Sequence, residues 1–129
     1  MEHEHGTFGE FLYSKRSALY TLRDFAARVE KSPGYMCDVE NDRKDPPVKE
    51  VLERISEVLN LSEADRITLF DLAGKGREEV SADLPEYIMY SDVSDTVRLA
   101  LRTAKNSGAS VDDWLRFVAD MTLKKRKRS

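Results

Sequence analysis

The stretch Thr21–Arg43, TLRDFAARVEKSPGYMCDVENDR, limits the possible folds of this chain more than any other. Leu22, Phe25, Ala26 and Val29 fall at i, i+3, i+4 and i+7, the apolar stripe of one helix. Ser32-Pro33 then opens a second helix. A serine oxygen accepts from the free amides of a helix start, and proline at the first helical position has no N–H to leave unpaired. Met36 and Val39 continue the buried face, whereas Gly34, Tyr35 and Asp38 point elsewhere. Helices this short do not hold in water by themselves, so the remaining chain must pack around them.

The flanking segments read as more helix. Phe8, Phe11 and Leu12 stripe a first helix over Thr7 to about Ala18, with Lys15 and Arg16 near its end. Thr21 caps the second helix, and the third runs from Ser32 to about Glu40. Asn41 to Pro47 is a loop of breaker residues. Val48, Val51, Leu52, Ile55, Val58 and Leu59 repeat at helical spacing, with Pro47 at the start and Asn60-Leu61 at the end. Ser62, Glu63 and Asp65 open a fifth helix whose wide face is Ile67, Leu69, Phe70 and Leu72, stopped by Gly74 or Gly76. Lys75 to Ala82 turns polar, a hinge, and Asp83 to Met89 is a short helical turn.

Val93, Val97, Ala100, Leu101 and Ala104 stripe a further helix ending at Ser107-Gly108. Ser110 caps another, with Val111, Trp114, Leu115, Val118 and Met121 on one side and Phe117 beside them. No segment alternates as a strand does, so the fold class is all-α. The expected division is 1–76 and 77–129.

Composition narrows the functions. The 129 residues allow one domain, or one small domain with an appendage. Cys37 is the only cysteine, which leaves no internal disulfide and no cysteine zinc cluster; with a polar, acidic start and no membrane-length apolar run, cytoplasm is the expected compartment. Glu2, His3, Glu4 and His5 are read as a solvated lead-in and not a metal site, because no other histidine completes one. Enzyme chemistry finds no support: there is no Gly-rich phosphate loop, no Ser-x-x-Lys, and no histidine base beyond positions 3 and 5. No cofactor and no metal are expected. Net charge is −3, and residues 1–62 hold nine Lys/Arg against twelve Asp/Glu. Any nucleic-acid affinity must therefore come from a local patch.

Leu22-Arg23-Asp24-Phe25-Ala26, then Ser32-Pro33-Gly34-Tyr35-Met36-Cys37-Asp38-Val39-Glu40-Asn41, then Pro46-Pro47, resembles the XRE, or phage-repressor-like, helix-turn-helix family. The likeness covers about Phe8 to Gly74. It implies a five-helix, lambda-repressor-like domain with a C-terminal helical extension, its third helix entering the major groove of double-stranded DNA. It implies that Thr21 and the start of helix 2 sit on phosphates. It also implies that Ser32, Pro33, Gly34, Tyr35 and Asp38 face the groove, and that Asn41, Arg43 and Lys44 reach the backbone. Glu40, acidic among apolar neighbours, wants a cation, and the resemblance points to Arg16 as a structural partner. The chain departs from the family at Glu30 and Asp42, where glycine is usual, at Lys31, where an apolar residue is common, and at Cys37, where serine is. The link between helices 1 and 2 is also one residue short.

The implied function is a sequence-specific transcriptional regulator, a repressor, acting as a homodimer because one short helix reads too few base pairs. The second half then reads as a packing and dimerisation extension, or as an extra core layer within a monomer. Lys124 to Arg128 is open to three readings: a phosphate contact, a nuclear signal, or a disordered neutral tail. The competing function is a helix-turn-helix module for protein contact, such as an antitoxin whose second half grips a partner.

Overall fold

The computed structural model describes residues 6–128, so Glu2, His3, Glu4 and His5 lie outside the described residues. Among the described residues the chain is all-helical: α1 (Phe8–Ser17), α2 (Leu22–Arg28), α3 (Pro33–Glu40), α4 (Lys49–Val58), α5 (Glu63–Arg77), α6 (Pro85–Tyr90), α7 (Ser94–Ser107) and α8 (Val111–Arg128). It divides into a unit that runs to Pro85 and a second that begins at Glu86. None of the described helices is long and apolar enough to cross a membrane.

The first unit is built around Phe25, Phe70, Leu12, Met36, Leu52 and Ile55, all shut off from solvent. α1 packs on α2, α3 and α5, α2 packs on α3, and α4 packs on α5. Local chemistry sets where these helices begin. Thr7 Oγ1 accepts from Glu10 N–H at 3.1 Å while Glu10 Oε1 accepts from Thr7 N–H at 2.9 Å, a closed capping box at α1. Thr21 and Ser32 cap α2 and α3, each accepting at 3.1 Å from the amide three residues on.

The turn between α2 and α3 places Glu30 at φ 61°, in the left-handed region. A non-glycine residue there costs on the order of 1 kcal/mol. The turn is held regardless, because Val29 is fully buried and Arg54 Nη1 donates to the Val29 carbonyl at 2.7 Å. Glu30→Gly should therefore raise stability by up to about 1 kcal/mol in urea unfolding, since it relieves the strain and removes no contact that anchors the turn.

Asp42 also sits at positive φ, 58°. Its carboxylate accepts from Gly9 N–H at 3.0 Å and from Thr7 Oγ1 at 2.6 Å, tying the end of α3 to the start of α1. A glycine would suit that backbone better but would lose both bonds.

Several expectations are corrected. Val48 is the half-exposed N-cap of α4 and not part of its buried stripe; the helix starts only at Lys49, after Pro46 and Pro47 have been buried. Ile67 is largely exposed, because α5 turns Leu69, Phe70, Leu72 and Ala73 inward instead. Neither Gly74 nor Gly76 stops α5, which runs on to Arg77 and ends at Glu78 in the left-handed conformation. Gly74 is small for a packing reason: a Cβ there would lie 2.9 Å from the Glu79 carbonyl oxygen and 3.1 Å from Ser81 Cα. The polar stretch after it is no free hinge, since Glu79 N–H donates back to the Gly74 carbonyl at 2.8 Å and Ala82 packs on the core.

In the second unit, α7 ends at Gly108 with φ 69°, and α8 begins behind Ser110. α8 continues to Arg128, so the run Lys124–Arg128 is helical rather than a disordered tail. Among the described residues of this unit only Ser94 is buried.

Candidate nucleic-acid interface

α3 is fixed from below. Met36, Val39 and Glu40 are buried, and the Glu40 carboxylate receives two bonds from Arg16: Nε to Oε2 at 2.8 Å and Nη2 to Oε1 at 2.6 Å. This fork-on-carboxylate geometry is the strongest form of the pair. Arg16 Nη1 also donates to the Tyr20 carbonyl at 3.2 Å, so one guanidinium joins α1, the α1–α2 link and the end of α3. The hydrogen bond to Glu40 is the main cause holding the Arg16 guanidinium above its ordinary pKa, against burial that acts the other way.

The outer face of α3 is open. Pro33 and Gly34 are exposed, and a Cβ added at Gly34 would meet nothing within 4 Å. Asp38 is half-buried and accepts from Arg43 Nε at 3.1 Å. That bond is the first cause of a raised Arg43 pKa. Tyr35 is half-buried against the core, with Lys31 Nζ 5.3 Å from its ring centre. Burial raises the pKa of its hydroxyl, opposed by the charge on Arg77, so the phenol stays protonated and able to donate.

The remaining candidates separate by what their side chains do. Thr21 and Ser32 spend their oxygens as caps, although each hydroxyl hydrogen remains available. Asn41 Nδ2 donates to the Cys37 carbonyl at 2.8 Å, and Arg43 Nη2 lies 3.6 Å from Cys37 Sγ. Asn41 and Arg43 thus bond to the last turn of α3 while both remain exposed. Lys44 is exposed and makes no ion pair among the described residues.

Arg23 and the half-buried Lys49 likewise make no ion pair among the described residues, and neither is among the candidates named from the sequence. Arg23 is exposed in the first turn of α2, and Lys49 opens α4 directly after the α3–α4 loop. The signal available for both was a cation one or two residues inside a helix start. The amides of Leu22 and Arg23 have no partner among the described residues, as expected for a first turn whose single cap bond goes to Asp24. A surface groove of about 360 Å³ beside the α3–α4 loop carries Arg43, Lys44 and Lys75 together with Asp42 and Asp45. Its charges nearly cancel.

The arrangement offers a rigid helix with a bare outer face, flanked by cations rather than made of them. Comparison of the chain with protein-family models, curated proteins and solved structures finds no match.

Proposed function

We propose that this chain is a non-enzymatic, sequence-specific DNA-binding transcriptional regulator, a repressor of the XRE helix-turn-helix type, acting as a homodimer. α3 is its reading helix, and α1–α5, which share one core, are its five-helix domain. The observation that carries the reading is α3 itself: buried along Met36, Val39 and Glu40, clamped by Arg16, and uncovered over Pro33 and Gly34. A short helix held this firmly with its outer face bare suits insertion into a groove.

Charge sets how such binding would behave. Asp38 would repel phosphates, and its pairing with Arg43 offsets that repulsion. Affinity from phosphates then falls to Arg23, Lys44 and Lys49. A gel shift on the DNA upstream of the protein's own gene tests the reading. Lys44→Ala should weaken binding about equally on all sequences and reduce the slope of log K against log salt by about 1 per chain. A slope unchanged by the substitution removes Lys44 from the interface.

The second reading, a helix-turn-helix fold used for protein contact, is favoured by one observation: the apolar side chains of α8 are exposed. It predicts a stable complex with another protein and no DNA affinity at low salt.

A further inference from the structure

The second unit has amphipathic helices and, among its described residues, no buried apolar side chain. Val111, Trp114, Leu115, Phe117, Val118 and Met121 share one side of α8, and all are exposed; Val118 retains 55% of its accessible surface. The close helix–helix pairs of the described chain are all among α1–α5, and α7 and α8 form no comparable pair. Helices with a bare apolar stripe gain most of their stability from packing that stripe.

The charges of α8 say what covers it. Asp112 and Asp113 stand in its first turn, and Lys124–Arg128 make up its end. The helix is 18 residues long, roughly 27 Å. It is therefore complementary to itself reversed. We infer that two copies of this chain pair through α8, antiparallel, about a two-fold axis near Val118 and Met121. Asp112 and Asp113 of each copy then lie beside the basic run of the other. Trp114 falls opposite positions 124 and 125 of the partner copy, where an ammonium can cover the indole face. A parallel pairing would set the two basic runs side by side, so the charge pattern selects the orientation as well as the partner. The helix dipoles agree, since each acidic N-terminal end meets a C-terminal end.

The inference deepens the homodimeric part of the function proposed above and rests on that part alone. Because self-association is measured without DNA, failure to bind DNA leaves it standing.

Sedimentation velocity of the full chain over micromolar concentrations, with far-UV circular dichroism as a folding control, tests it through four variants. Val118→Asp should leave a monomer or raise the dimer Kd by at least about a hundredfold. Reversing only the acidic end (Asp112→Lys with Asp113→Lys) should raise it about tenfold, and so should reversing only the basic end (Lys124→Glu with Arg126→Glu). The variant carrying both reversals should recover dimerisation, which neither a parallel helix pair nor an apolar contact alone predicts. Raising salt should weaken the unaltered dimer. A monomeric unaltered chain overturns the inference. So does a dimer that survives Val118→Asp, or one equally tight in all three charge variants.

Discussion

Glu40→Ala is expected to destabilise the first unit by about 3–5 kcal/mol, read as a fall in the urea midpoint at unchanged slope. The physical reason is what remains behind. Arg16 is buried, and two of its N–H groups point at the Glu40 carboxylate. With that carboxylate gone, the buried cation keeps, among the described residues, one hydrogen bond to the Tyr20 carbonyl and the face of the Tyr13 ring 5.2 Å away. Neither carries a full negative charge. The loss is that of an uncompensated charge and not the net worth of the pair. Replacing both residues with apolar ones of similar volume, Arg16→Met with Glu40→Leu, should therefore recover most of the stability. A double variant as unstable as Glu40→Ala would show that the pair organises the α1–α3 junction in a way apolar packing cannot.

Gly9→Ala is the second large effect. Alanine is ordinarily the better helix former by about 1 kcal/mol, so an exposed glycine gains from this change. At Gly9 the sign reverses. The added Cβ would collide with the Glu40 carbonyl oxygen and sit 2.8 Å from both the Glu40 carbonyl carbon and Asp42 Oδ1. These are backbone atoms and a carboxylate that already holds Gly9 N–H, so little can move. A net loss of about 2–3 kcal/mol in urea unfolding is expected. Gly34→Ala, with open space around it, should be neutral or slightly stabilising in the same measurement. Equal effects at the two positions would contradict the close approach of α1 to the end of α3.

What sequence reasoning can reach follows from how local each cause is. Thr21 and Ser32-Pro33 mark helix starts because capping involves atoms three residues apart. Glu40 was readable for another reason: a carboxylate inside an apolar stripe demands a cation wherever the chain supplies one, and Arg16 supplies it. The failures share the opposite property. Gly74 looked like a helix stop because glycine often is one, yet its smallness serves the return of residues 79–81 over α5. Asp42 looked like a poor substitute for glycine, and only its proximity to Thr7 and Gly9 reveals its use.

The candidate interface shows the same division. Pro33, Gly34 and Lys44 are exposed where helical spacing and loop composition put them. That Arg43 bends back to Asp38 and Asn41 to Cys37 is a choice among side-chain rotamers, which spacing along the chain does not determine. The all-helical class was therefore legible almost throughout, whereas the use of the polar side chains was legible only where one partner was compulsory. The apolar stripe of α8 belongs with the first group: its periodicity was plain, and the exposure of its side chains became visible only in three dimensions.

The central claim is that α3 reads a base sequence. Selection from a pool of random-sequence DNA duplexes, at about 50 mM salt and with the full chain as bait, tests it whatever the operator is. A reading helix on a homodimer predicts enrichment of a two-fold-symmetric site with half-sites about one helical turn, roughly 10 base pairs, apart. A pool that stays random after repeated rounds, with no duplex retained even at low salt, would contradict it.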